Sequence, residues 1–450
     1  MLRTVPLMPR RTLCYGVVAV MAFVVCLAHA GNFTNTDFGA WGSDWTAFMA
    51  CFQVEGCAAL SKFPLAHMLN SAIVSALSPV STASDALWLI NSAFVLFPLF
   101  ILVSRDRSIL LAGVYLLAIL ISPIPRFYVN SGALELQYGV VIGLFFYSLF
   151  SLLCTERLGN RHADWTLLAT TSFLLPLYKD TSFFVIGAST IFAILVGTLC
   201  RDSVFRFRRL ALVFSCVALP MAAALLAQLS YNQLRYGVPF PIAYLAEAEA
   251  TAPPLSISVG FLIGSVFSPH GGILAFWLCA IFVATIGVFL LGYRPNRLAL
   301  LAALTHVVIS LLGFSLWWAP FGWDSWGNRL MVPAMMGLLV TIILTSRPVS
   351  GRSDVTMVAD LAAKDRMRRI LGRRSLIICG ALAPFLGYSA YFVAVSYASD
   401  IHDMARNLHQ AGPACKEIVV QLQNGAGSEL WNSQLYYDCA YERMTLIPSF

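Results

Sequence analysis

Charge is what this chain has least of. Only 11% of its 450 residues are Asp, Glu, Lys or Arg, whereas an ordinary soluble domain carries about a quarter. So few charges cannot clothe a water-soluble surface. The segment 347–374, the largest basic stretch between apolar runs, lacks a glycine-rich phosphate loop, which argues against a nucleotide site there. No nucleic-acid motif is present. Short-period repeats are missing too, and no inverted pair of broken helices marks an alternating-access transporter. Seven of the eleven cysteines, from Cys14 to Cys379, fall within or beside apolar runs and act there as small apolar packers, which excludes a dense disulfide scaffold. The other four fall into two local pairs, Cys51 with Cys57 and Cys415 with Cys439. In an oxidising compartment each pair is expected to form a disulfide, with free thiols the alternative.

What is abundant is apolar sequence: 59% of the chain is hydrophobic. A membrane crossing needs about 20 apolar residues, and runs of that kind lie near 13–31, 86–104, 108–127, 138–154, 164–178, 181–200, 210–230, 273–293, 298–318, 330–346 and 375–397. The expected fold is therefore an all-α polytopic membrane protein with about eleven transmembrane helices, outward-facing loops and amphipathic surface helices. A shorter apolar piece at 255–267, cut by Ser268-Pro269-His270-Gly271-Gly272, is expected to be a re-entrant or surface helix. Arg10-Arg11, the first apolar run and Ala28-His29-Ala30 also imitate a cleavable signal peptide, and residue 31 emerges outside in either case.

Orientation follows from the basic residues. With a cytoplasmic N-terminus, 21 of the 29 Lys and Arg fall inside, as the positive-inside rule requires. The net charge of +7 is thus a topology signal and an attraction to anionic lipid rather than a nucleic-acid footprint. The expected organisation is a transmembrane domain over 1–397, with a first outer loop at 32–85, and a short extracytoplasmic tail over 398–450.

Ionisable residues near bilayer depth are costly and call for an explanation. Here they gather at the outer ends of the runs. Arg126 and Glu135 flank "FYVNSGAL", Lys179 and Asp180 sit between two runs with almost no loop, and Asn232 and Arg235 lie in "NQLRYGVP". His270 follows in "SPHGG", and Trp323, Asp324, Trp326 and Arg329 occupy "WWAPFGWDSWGNRLMVP". Singly, each has a bland reading: Lys179 and Asp180 neutralise one another, the arginines snorkel, and the tryptophans form an interfacial belt. Together on one face they suit a substrate that carries a lipid phosphate and a sugar, since guanidinium and ammonium groups hold phosphate and aromatic faces stack on pyranose rings. The first outer loop adds Asp37 and Asp44 around a glycine-spaced turn, ahead of an expected surface helix over 45–60. A carboxylate there can act as a general base or hold a divalent cation such as Mg²⁺ or Mn²⁺, for which Asp44 is the metal candidate. Its bland reading is a helix N-cap.

The order of these pieces resembles the GT-C superfamily of membrane glycosyltransferases, in its protein-mannosyltransferase-like and aminoarabinose-transferase-like branch. The matching pieces are Gly42-Ser43-Asp44, the turn Asn232 to Pro239, Ser268 to Gly272, and Trp326-Gly327-Asn328-Arg329 with Pro333. The chain departs from the pattern where many members carry an adjacent acidic pair in the first loop, and where relatives carry arginine-proline at the position of Lys179. The resemblance implies a polyprenyl-phosphate-linked sugar donor, a glycan, glycolipid or protein acceptor, membrane lipids as surroundings, no nucleic acid, and a place in the bacterial inner membrane. It makes Asp44, or else Asp37, the catalytic carboxylate, and Arg329 a phosphate ligand with Trp323 and Trp326 along the sugar and lipid path. Rival readings are an O-antigen-type polymerase or ligase and a lipid or sugar transporter.

This topology predicts that reporter fusions at residues 203 and 360 read as inside and a fusion at 420 as outside. An inside signal at 420 would show that the count of crossings is wrong.

Overall fold

The structure, a computed structural model, describes residues 36–51, 60–105, 109–154, 162–199, 207–242, 245, 253–269, 271–317, 328–348, 380, 382–391, 412–424 and 433–445. Among the described residues the regular elements are helices and one two-residue strand pair. Three short helices form the first loop: α1 (Thr36–Trp41), α2 (Asp44–Cys51) and α3 (Leu65–Leu77). The expected surface helix over 45–60 is α2, and 52–59 lie outside the described residues.

The long helices follow as α4 (Ala83–Ser104), α5 (Ile109–Ile121), α6 (Pro123–Val129), α7 (Glu135–Leu153), α8 (His162–Tyr178), α9 (Ser182–Leu199) and α10 (Phe207–Tyr236). Then come α11 (Leu255–Phe267), α12 (Ile273–Phe276), α13 (Leu278–Leu290), β1 (Tyr293–Arg294), α14 (Arg297–Ser315), a 3₁₀ turn at Arg329–Met331, α15 (Val332–Leu344) and β2 (Arg347–Pro348). Two tail helices, α16 (Pro413–Gln423) and α17 (Gln434–Thr445), close the described chain.

Among the described residues five helices, α4, α7, α9, α10 and α14, are long and apolar enough to cross a membrane, and α5 with α6 makes a sixth if that pair is one span. This is a multi-pass membrane protein. The run at 108–127 is not one straight helix: it bends by 77° between α5 and α6. Pro123 and Pro125 cause the break, because Ser122 before Pro123 is driven to extended backbone. Of the expected crossings, 13–31 and most of 375–397 lie outside the described residues. The piece at 255–267 is the helix α11 and ends at Ser268, where the sequence breaks. Exposed Leu212, Phe214, Leu219 and Leu226 give α10 an apolar outer surface suited to lipid.

The centre of the bundle is the crossing of α7 and α15. Every residue of α15 is buried, as is nearly all of α7. Glycine makes this approach feasible. A Cβ on Gly139 would lie 2.7 Å from Met336 Cβ and 2.9 Å from the Pro333 carbonyl, and one on Gly143 would lie 2.5 Å from Val340 Cβ. From the other side, a Cβ on Gly337 would meet Ile142 at 2.8 Å. Small residues let membrane helices pack backbone to backbone without a hydrophobic drive. Beginning α7 and α15 at the same end of the bundle sets Glu135 beside the turn that carries Arg329.

A buried amide network braces that end. Gln137 Nε2 donates to Asn70 Oδ1 (3.1 Å) and Asn91 Oδ1 (2.8 Å), and its Oε1 accepts from Tyr178 Oη at 2.8 Å. Asn91 Nδ2 donates to the carbonyls of Val129 and Ser131 at 3.1 and 3.0 Å, fixing the chain between α6 and α7. Buried amides satisfied in this way rigidify their surroundings. They tie α3, α4, α7, α8 and the α6–α7 turn into one block.

The tail is not free-standing. Cys415 and Cys439 form a disulfide with Cα atoms 4.6 Å apart, and Glu442 accepts hydrogen bonds from the Ala414 and Cys415 N–H groups at the start of α16. The hairpin buries Ile418, Tyr436 and Tyr437 against Phe261 of α11, with Trp317 alongside. Trp317 follows α14, so the tail docks at the same end of the bundle as Arg329.

Candidate functional site

Helix direction alone brings several of the sequence-selected residues together. Chain alternation puts the starts of α7, α9 and α15 beside the ends of α8, α10 and α14. Glu135 opens α7, Lys179 and Asp180 join α8 to α9, Arg235 ends α10, and Arg329 precedes α15. Arg329 Nε lies 2.9 Å from Glu135 Oε1, with both side chains partly exposed. Lys179 Nζ stands 4.6 Å from the Phe314 ring centroid, a cation–π contact with the end of α14. Burial pushes the Lys179 ammonium below its ordinary value, while Asp180 and Glu135 hold it up and Arg329 lowers it further. Among the described side chains, two cations and two carboxylates therefore share one half-buried region. A net-neutral cluster of this kind can exchange a carboxylate for an incoming phosphate without stranding a cation.

Asp44 belongs to a second layer. It is buried, its Oδ1 accepts from the Ser61 N–H at 2.9 Å, and its Oδ2 accepts from Ser61 Oγ at 2.5 Å. Burial raises the carboxyl above its ordinary value, against the Ser61 hydrogen bonds and the Arg235 charge, which lower it. A raised carboxyl is a better proton acceptor. Two of its roughly four lone-pair sites are used, leaving acceptor capacity. Asp44 heads α2, yet its carboxylate is spent on Ser61, seventeen residues on, rather than on capping its own helix.

Arg235 and Asn232, expected to face substrate, have polar atoms engaged within the protein. Arg235 Nη1 donates to the carbonyls of Ser61 (2.9 Å) and Phe63 (2.5 Å), and Nη2 donates to Asn232 Oδ1 at 2.6 Å. The guanidinium lies against the Tyr231 and Tyr236 rings at 4.7 and 4.5 Å. Gln228 Nε2 also donates to Asn232 Oδ1, while its Oε1 accepts from the Leu65 N–H at 2.9 Å. The end of α10 is thus a clamp that fixes the first loop, and with it Ser61 and Asp44. The physical reason is that the Ser61 and Phe63 carbonyls lie ahead of α3 and need donors, and a guanidinium supplies several in one plane.

His67, not singled out from sequence, sits within reach of both Arg329 and Arg235. It packs between Trp41 (5.4 Å between centroids) and Phe63 (4.7 Å), and its Nδ1 has no hydrogen-bond partner. Burial pushes the imidazole down to about 3, the arginine charges act the same way, and the Pro64 carbonyl opposes them. It is neutral at physiological pH. The signal that could have found it is its position as a lone ionisable group in the apolar stretch after Pro64.

His270, Trp323, Asp324, Trp326 and Cys57 lie outside the described residues, as do the side chains of Asp37 and Arg126. Cys51 is disulfide-bonded. Among the described residues no three of His, Cys, Asp and Glu come together as a metal site, and Ser61 donates one hydrogen bond to each Asp44 oxygen.

No family model and no curated protein matches this chain. Among solved structures, the chain is similar to the crystal structure of ArnT from Cupriavidus metallidurans bound to undecaprenyl phosphate, with a TM-score of 0.50 at 15% identity. The match covers 96% of this chain and 75% of that one. The apo crystal structure of the same protein gives a TM-score of 0.45 at 14% identity with the same coverage. At this identity the likeness is one of fold alone.

The Glu135–Arg329 pair gives a direct check on the site's geometry. Glu135→Gln leaves Arg329 without its carboxylate and is expected to lower stability in detergent by about 1–3 kcal/mol, the range for a partly buried group deprived of its partner. Adding Arg329→Gln should recover part of that loss, with a coupling of about 1 kcal/mol in the double-mutant cycle. Strictly additive losses would show that the two side chains do not interact.

Proposed function

We propose that this protein is a membrane glycosyltransferase that moves a hexosyl or pentosyl group from a polyprenyl-phosphate donor to a glycan, lipid or protein acceptor. The observation that carries the reading is the meeting of Lys179, Arg329 and Glu135 at the bundle end that also holds Asp44, in a fold shared with a crystal structure bound to undecaprenyl phosphate. The site faces the outer side of the bacterial inner membrane, with the N-terminus cytoplasmic and the 398–450 tail extracytoplasmic. The first loop, rather than a late one, contributes the buried carboxylate, which favours a transferase over an O-antigen-type polymerase or ligase.

The chemistry asks three things of these side chains. Lys179 and Arg329 hold the donor's phosphate and stabilise the charge that grows on it as the bond from the anomeric carbon to the phosphate oxygen breaks. Glu135, displaced from Arg329 by the phosphate, remains close enough to limit repulsion between the cations. Asp44 takes the proton of the acceptor hydroxyl as its oxygen bonds to the anomeric carbon, and its raised proton affinity suits that task. The clamp of Arg235, Asn232 and Gln228 contributes positioning: it sets Ser61, and Ser61 sets Asp44. Holding both reactants in register is itself a large part of such a rate.

Membranes supplied with an undecaprenyl-phosphate-linked sugar test the assignment. Asp44→Asn should cut transfer by roughly 10²-fold or more, the usual scale for a general base, with folded protein at normal levels. An active Asp44→Asn beside a dead Asp37→Asn would move the role to Asp37. Two active variants would refute the carboxylate mechanism.

A further inference from the structure

The end of the bundle opposite the candidate site carries a charge arrangement that the transferase reading leaves unused. There β1 and β2 pair antiparallel, with Tyr293 opposite Pro348 and Arg294 opposite Arg347. Residues directly opposite each other in such a pair project from the same face, and like charges so placed repel. The arrangement is also held firmly. Gly292, at φ 76°, turns the chain from α13 into β1, a conformation that other residues rarely adopt. The Asn296 N–H donates to Thr345 Oγ1 at 3.3 Å, tying the α13–α14 connection to the end of α15.

Among the described residues, neither arginine is answered by a carboxylate. Arg294 and Arg347 are exposed and make no ion pair, whereas Arg105 at the same end is paired with Asp164. Arg297 opens α14 with no acidic residue in that first turn, which adds a third cation nearby. Arg347 also forms one wall of a small cleft whose other lining residues, Tyr147, Ser151, Asn296 and Thr345, all carry polar groups. A strand pair that fixes two guanidinium groups opposite one another, with no counter-charge among the described residues, is suited to an anion.

We propose that Arg294 and Arg347, held opposite one another by the strand pair, clamp the phosphate of an anionic membrane lipid. The strand pair lies at the ends of α13, α14 and α15, where a span meets the head-group layer, so a lipid phosphate reaches it at the right depth. Two planar forks suit the tetrahedral oxygens of phosphate better than ammonium groups would. The general attraction of a basic face for anionic lipid supplies the local concentration, and the paired arginines supply the fixed site.

Native mass spectrometry of the full chain, released from nanodiscs of phosphatidylcholine with phosphatidylglycerol, tests this. The wild type should retain phosphatidylglycerol, Arg294→Gln/Arg347→Gln should lower retention roughly tenfold, and Arg294→Lys/Arg347→Lys should keep an intermediate level and show that the fold is intact. Arg206→Gln/Arg208→Gln removes the same charge from another basic segment and should behave as wild type. Unchanged retention in Arg294→Gln/Arg347→Gln would overturn the proposal, and so would an equal loss in the two glutamine pairs, which would mean diffuse attraction. Displacement of the lipid by inorganic phosphate would assign the clamp to a soluble anion and overturn the lipid.

Discussion

The close crossing of α7 and α15 is the constraint on which the rest of the structure depends. Gly139 and Gly143 on one helix, with Gly337 on the other, let the two backbones touch at the centre of the bundle. A methyl group at either α7 position would force the helices apart, because the atoms in its way belong to backbone or to Cβ groups that cannot swing aside. Once the helices meet at that depth and register, their first residues have little freedom. Glu135 and Arg329 come within ion-pair distance, and Lys179 reaches them from the α8–α9 turn. The electrostatics of the site are thus a consequence of packing several turns below it.

The charged residues at this end fall into two groups with different physics. Arg235 is buried and bonded to the protein's own carbonyls, so it positions the first loop and through Ser61 the Asp44 carboxylate. Arg329, Glu135 and Lys179 are less buried and balance one another. Removing one member of the first group leaves backbone carbonyls unsatisfied and loosens the loop. An anion entering the second group rearranges pairings that are already ionic, which costs less than stripping a cation from neutral partners. The proposed division of labour between anchoring and phosphate binding rests on that difference.

Much of the fold was legible in the sequence because membrane spans announce themselves by length and hydropathy. The breaks were legible where proline or glycine caused them, as at Ser268, although the bend of 77° at Ser122-Pro123 was read as a continuous run. The one-sided placement of Glu135, Lys179 and Arg329 could be anticipated from alternation of the spans. Their mutual contacts could not, since these depend on which helices cross. The Gly139-x-x-x-Gly143 spacing was present to be read, but its partner at Gly337 lies almost two hundred residues away. The same distance hid the role of Arg235, whose carbonyl partners at Ser61 and Phe63 belong to the first loop. Asn70, Asn91 and Gln137 look like isolated amides in apolar sequence, and only their convergence makes them a network.

The central claim is that Lys179 and Arg329 receive the phosphate of a polyprenyl donor. A cryo-electron-microscopy structure of the protein with undecaprenyl phosphate tests it most directly. The account predicts phosphate density within hydrogen-bonding distance of both side chains, with Glu135 turned away from Arg329. Density for the phosphate at any place that leaves Arg329 bound to Glu135 and Lys179 on the Phe314 ring would contradict it.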